Sequence, residues 1–268
     1  MYSRGDGRAY SSFIPEVGLD DETRELKPFV YLEVKDGSGA VINRIKATNK
    51  EGFNRVSWDL TVGGSNALSI NADGNNIGGF LCAPGKYTAT LNSFTSGKVN
   101  QLAGPVEVEV TPLRSGTLEG SSMEDVVSFW RAYEELSRDV SAMSIQLSNS
   151  KKRVELVFKA AMKANVSGTT MQDIAELRSS IGRLDTQVNG NPAKNQIGEK
   201  NRPTIGERLF SLNRGISNST YGPTDTHRRT MEIVKKELGS VSNQLAGYRN
   251  SLSELANQVK AAGGSWVE

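Results

Sequence analysis

One histidine and one cysteine in 268 residues leave this chain short of the side chains that most catalytic and metal sites need. The sole cysteine, Cys82, cannot form an internal disulfide, so burial alone has to hold the fold. The sole histidine, His227, has no second histidine to share a metal with. Nucleophile elbow, Walker loop, HExxH helix and glycine-rich dinucleotide fingerprint are all lacking. Carboxylates are plentiful, but their spacing singles out no pair. Aromatic residues are only 7% of the chain, which leaves little for stacking on sugars or bases. Charge of one sign is missing too: 32 basic against 30 acidic residues give +2, no electrostatic case for nucleic acid or an anionic membrane. No run approaches the roughly 20 apolar residues of a membrane helix. The start, "MYSRGDGRAYSSF", has neither the basic opening nor the apolar core of a signal peptide.

What is present is a chain 37% hydrophobic and 23% charged, as in a globular protein, and long enough for one large domain or two ordinary ones. Residues 1–27 read as an extended linker: polar, glycine-dotted and ending in "DDETRELK". It carries Arg4-Gly5-Asp6, a tripeptide common enough to arise by chance. From Phe29 to Val110 the hydrophobic period is two. Val30, Leu32 and Val34 alternate with Tyr31, Glu33 and Lys35, and "DGSG" turns the chain into "AVINRIK". "FNRVSWDL" puts Val56, Trp58 and Leu60 on one face. "APGKYTATL" does so for Tyr87, Ala89 and Leu91, and "PVEVEV" for Val106, Val108 and Val110. Short alternating strands with turn signals between them predict an antiparallel Ig-like β-sandwich over 28–113, interrupted by a long Gly/Asn loop between Asp59 and Phe80.

After "TPLRSGTLEG" the period lengthens to that of a helix. Ser121 and Glu124 stand in capping-box spacing, and Phe129, Tyr133, Leu136, Val140, Met143, Leu147, Val154, Val157 and Ala161 follow three-four spacing, with Ser150 in one seam position. One unbroken helix over 122–164 would be about 65 Å long. A shorter helix carries Ile174, Leu177, Ile181, Leu184 and Val188, and Thr204 caps a third with Leu209, Leu212 and Ile216. The fourth has the seam Met231, Val234, Leu238, Val241, Leu245, Tyr248, Leu252, Leu255 and Val259. Gly239 and Gly247 cost it about 1 kcal/mol each in helix propensity, so packing has to hold it. The expectation for 114–268 is an up-down-up-down bundle of two long outer and two short middle helices. It would be four helices thick in one half and thin to the long pair in the other.

His227 lies in "STYGPTDTHRRTMEIV". Gly222-Pro223 turns the chain, Thr224 is a competent N-cap, and Asp225 sets negative charge against the helix dipole. His227 then falls in the first helical turn, flanked by Arg228 and Arg229, and reads as part of a helix start rather than as a base or ligand. Asn71–Asn76, "NADGNN", places oxygen-bearing side chains at alternate positions as calcium loops do. Its glycine comes at the fourth place rather than the sixth, and Cys82 stands at the twelfth, so it reads as a plain loop. Glu207 and Arg208 in "GERLF" read as a helical surface pair.

Two groups of motifs carry a resemblance. "GFNRVSWDL" followed by "APGKYTATL" resembles the Ig-like module of flagellar hook-capping type. "RPTIGERLF", "STYGPTDTHRRTMEIV" and the closing "AAGGSWVE" resemble the C-terminal region of bacterial proteins with sortilin-like or neuraminidase-type β-propeller repeats, often labelled glycosyl hydrolases. The resemblance spans roughly 28–268. It implies a C-terminal fragment of a larger exported precursor, whose N-terminal propellers would be its first partner and would carry any hydrolysis. Localisation would be periplasmic, outer-membrane-associated or secreted, with the cytoplasm as the alternative. No catalytic, cofactor-binding or metal residue carries over, and no cofactor is implied.

The leading expectation is a non-catalytic accessory region that packs domains or docks a partner protein at the cell envelope. One alternative is a carbohydrate-binding module with a glycan as partner; another is a helix-mediated oligomerisation module. Phe129 and Trp130 widen the apolar stripe of the first long helix. With Trp266 they are expected at an interdomain interface, the plainer alternative being that they fill the bundle.

Overall fold

The computed structural model describes residues 26–64, 79–113, 119–200, 202–217 and 219–266, apart from the Asn195 side chain. The chain divides into two compact units. One joins Met1–Asp59 to Gly85–Thr111, and the other joins Leu60–Pro84 to Pro112–Glu268. Nearly all of the 1–27 lead-in, Arg4-Gly5-Asp6 included, and the Asn71–Asn76 loop lie outside the described residues.

In the first unit four antiparallel strands form one sheet: β1 (Phe29–Asp36), β2 (Val41–Ala47), β3 (Gly85–Thr95) and β4 (Lys98–Val110), in the order β2-β1-β3-β4. Each hairpin has a visible local cause. Asp36 Oδ1 accepts from the amides of Ser38 and Ala40, and Gly39 supplies a φ of 84°. Between β3 and β4, Ser96 and Gly97 both take positive φ, 49° and 74°, as a two-residue primed hairpin turn requires. Directly opposed residues share a face. Val34 opposes Ala89, and Leu32 opposes Leu91, so one face is apolar. The other carries Tyr31, Glu33, Thr90 and Asn92, all buried. There Arg44 Nε donates to Glu33 Oε2 at 2.8 Å and Lys35 Nζ lies 3.2 Å from Oε1. The hydrogen bond from Arg44 holds the Glu33 carboxyl below the usual carboxylate range. Arg44 is mostly exposed, so the pair contributes only about 0.5 kcal/mol.

The residues expected as a strand around Val56 and Trp58 pair with no other strand, and β4 is longer than "PVEVEV" suggested, starting at Lys98. The antiparallel sheet is therefore observed as one layer.

The second unit holds α1 (Met123–Ala161), α2 (Gly168–Asn189), α3 (Pro192–Gln196), α4 (Ile205–Ile216) and α5 (Asp225–Ala261). At 39 residues α1 is about 58 Å long. Its N-cap is Ser122, whose side chain accepts from the Asp125 amide, one residue beyond the expected Ser121. The amide of Ser121 instead donates to the carbonyl of Tyr221 at 2.9 Å. The heptad-like seams meet in one core in which Leu147, Val157, Ile174, Ile181, Val234 and Leu245 are almost wholly buried. Ser150, in the seam and buried, donates back to the carbonyl of Gln146 at 2.8 Å and so needs no partner across the core.

The order of directions is not up-down-up-down. Side-chain contacts step together along α1 and α5: Asp125 with Arg228, Gln146 with Arg249, and Arg153 with Ser253. These two helices are parallel. Both α2 and α4 oppose α1, because Glu155 meets Arg178 while Lys151 meets Asp185, and Tyr133 meets Leu209 while Trp130 meets Ile216. The directions are up, down, down, up, so α2 and α4 follow one another as a broken middle layer beside the two long helices. The reason lies in the 190–204 connection. It contains α3 and two prolines and carries the chain onward, whereas short turns reverse it after α1 and α4. Two long and two short helices stand as expected, but neither half is a four-helix layer. Among the described residues no helix is long and apolar enough to cross a membrane.

Leu147, 1% exposed, sits in the middle of this core. Leu147→Ala is expected to cost about 3 kcal/mol through lost burial and the cavity it leaves. Chemical denaturation followed by far-UV circular dichroism measures this, and a loss below about 1 kcal/mol would place the core elsewhere.

Candidate functional site

The feature least expected from the sequence is an arm. Leu60–Pro84 leaves the sheet segments of the chain and belongs to the helical unit. Its described ends pair with each other: Thr61 bridges Leu81, Val62 N–H donates to the Phe80 carbonyl at 2.9 Å, and Cys82 N–H donates to the Leu60 carbonyl at 2.7 Å. Leu60, with a φ of 61°, takes the left-handed backbone conformation where the arm begins. This costs a branched residue roughly 1 kcal/mol and marks a position fixed by its surroundings.

The arm seats a ring on α1. Phe80 stacks on Trp130 with centroids 5.2 Å apart and planes within 10°, and meets Tyr133 edge-on at 5.5 Å. Both polar tips are satisfied on the far side: Trp130 Nε1 donates to the Ile216 carbonyl at 3.2 Å and Tyr133 Oη donates to the Leu209 carbonyl at 3.3 Å. The two aromatic residues of α1 thus tie α4 on one side and the arm on the other. Burial pushes the Tyr133 phenol up, keeping it the donor this contact needs.

Glu134 completes the seat, its Oε1 accepting from the Phe80 amide at 3.2 Å. Burial pushes this carboxyl above the usual carboxylate range. The Phe80 N–H and the nearby Arg138 and Arg131 pull it back only in part. Gly79 makes the approach possible. A Cβ there would stand 2.6 Å from the Val62 carbonyl oxygen and 2.8 Å from Glu134 Oε1.

His227 occupies a different corner. Thr224 Oγ1 accepts from the His227 amide, and His227 Nδ1 accepts from the Thr224 amide, both at 3.3 Å. This is a reciprocal capping box with imidazole in the place usually filled by glutamate. The ring lies against Gly215 in the last turn of α4, where a Cβ would come within 2.5 Å of Nε2. Next to it Arg228 bridges Asp125 at 2.7 Å and covers the Phe129 ring at 5.7 Å. Among the described residues no group of three or more His, Cys, Asp or Glu side chains is placed to hold a metal ion.

Of the three residues expected at an interface, Phe129 and Trp130 are buried in the helical unit with these partners. Trp266 packs partly buried on the same core, under the Lys260 ammonium at 4.7 Å. Glu207 closes a capping box on Thr204, whose amide it accepts at 2.8 Å, and Arg208 Nε faces Glu237 at 3.4 Å; they are not a pair with each other. Phe80 was missed. The available signal was "GFLC", Gly79–Cys82, an apolar run closing an otherwise polar loop.

No known protein family, curated protein or solved structure matches the chain.

Two substitutions probe these corners. Gly79→Ala is expected to destabilise the helical unit by about 1–3 kcal/mol, since the neighbour it strikes is backbone that cannot rotate away. His227→Ala removes one side of the α5 cap and should cost about 1 kcal/mol. Both are read from thermal unfolding; unchanged midpoints would contradict the contacts described.

Proposed function

We propose that the chain is a non-catalytic scaffolding region, built to brace the β-propeller domains of a larger exported protein or to dock a partner protein at the cell envelope. The resemblance of its motifs to the C-terminal regions of such proteins supports the parentage. The observation that carries the scaffolding reading is the arm. Chain that starts among the strands becomes part of the helical core, and the largest aromatic side chains there, Trp130, Tyr133 and Phe80, are committed to one another and to backbone carbonyls. Such a layout makes a rigid body and leaves those rings no free face for a substrate.

We also read the sheet as one layer of an Ig-like sandwich. The half-buried Trp58 meets Tyr87 edge-on at 5.4 Å, which supports a second layer made by the 53–60 segment. The same contact weighs against the glycan-binding alternative. Tyr87 is 7% exposed and the two rings are tilted by 64°, so they offer no flat platform to a sugar.

Incubating the protein with a panel of glycosides and peptides tests the reading. No turnover is expected; turnover abolished by a single Asp or Glu substitution would overturn it.

A further inference from the structure

The Glu134 carboxyl is an unusual anchor for a backbone amide. It sits half-buried on α1 under the arm, beside the stacked rings of Phe80 and Trp130, where an ionised group loses much of its hydration. Its oxygen is covered from the arm side by Gly79 and Phe80, which bring backbone and a ring but no countercharge. The charged groups that face it, Arg131 and Arg138, are exposed and belong to its own helix. On the neighbouring turn Tyr133 turns its hydroxyl away, to the Leu209 carbonyl of α4.

We propose that the stem formed by Leu60–Val62 and Gly79–Cys82 is a proton-sensitive strap, seated most firmly on α1 when the Glu134 carboxyl beneath it is uncharged. The inference stands on the seat's geometry, whatever the function of the whole. An arm that lifts returns Glu134 to water, where a carboxyl titrates in its ordinary range; an arm that docks covers it. Docking therefore goes with proton uptake. The strap gains hold as pH falls from above the seated carboxyl's titration toward the ordinary carboxylate range, and loses it as pH rises through the same window. The acceptor survives protonation, because a neutral carboxylic acid keeps a carbonyl oxygen for the Phe80 amide. Glu33 has the opposite response: its lowered carboxyl adds stability above the ordinary range and loses it on acidification, so the two units answer pH in opposite senses. Lifting the strap would also bare the face of Trp130 that Phe80 covers, making the change readable at the ring.

Amide hydrogen exchange on the full chain, by NMR between about pH 4 and pH 8, tests this directly. Protection factors corrected for intrinsic exchange are compared for Phe80, Val62 and Cys82, whose amides donate within the seat. Val157 and Val241, in the helices, serve as references. In the unmodified chain, protection of the three arm amides should fall with rising pH, by about tenfold for each pH unit that the seat lifts the carboxyl, while the helix amides hold level. In Glu134→Gln, which keeps an acceptor oxygen and removes the charge, arm protection should be high and flat. Arm protection independent of pH in the unmodified chain would overturn the proposal. So would a Glu134→Gln chain that still loosens with pH, or one whose arm is loose throughout while its helices stay protected.

Discussion

Stacking of Phe80 on Trp130 is the contact on which the layout of the helical unit turns. Trp130 has two sides to satisfy, an indole N–H that must find an acceptor once buried and a ring face that must be kept from water. The Ile216 carbonyl at the end of α4 answers the first and Phe80 answers the second. Tyr133, three residues on along α1, repeats the scheme with the Leu209 carbonyl and the edge of the same Phe80 ring. A short helix of twelve residues and a two-stranded stem, neither able to persist alone, are thereby held to a helix that can.

This accounts for what was legible in the sequence and what was not. The helices were legible because a 3.6-residue period sustained over ten seams leaves few alternatives. The seam positions from Phe129 to Val259 are those the core buries, with Tyr248 only partly covered. Capping was legible at Thr204 and Thr224, where a hydroxyl residue precedes the periodic run. Direction was not. The 190–204 connection was read as a reversal between antiparallel neighbours, but Pro192 and Pro203 punctuate a stretch that moves forward, and periodicity carries no sign of which way a helix points. For the strands, alternation found β1 to β3 but could not decide whether Val56 and Trp58 join a ladder, since pairing needs a partner that local pattern does not name.

The arm was the least legible part because its signal is non-local. A glycine- and asparagine-rich loop between two strands ordinarily stays with its sheet, and only the three apolar residues after Gly79 hint at a second allegiance. Why glycine stands there is a fact of the folded chain, a carbonyl oxygen 2.6 Å from where a Cβ would be. His227 shows the reverse case. Its place in the first helical turn could be read from spacing, while its use of Nδ1 as the reciprocal cap acceptor depends on side-chain geometry. A residue that composition alone makes the first suspect for chemistry proves to be occupied with helix termination.

The central claim is that Phe80 and Trp130 hold the arm to the helices by contact with each other, and a double-mutant cycle measures that most directly. Phe80→Ala, Trp130→Ala and the double variant would be compared by denaturant unfolding of the full chain. The account predicts that the two losses are not independent: the double variant should be destabilised by less than the sum of the single ones, with a coupling of about 0.5–1.5 kcal/mol. Losses that add, with no coupling beyond the error of the cycle, would contradict it.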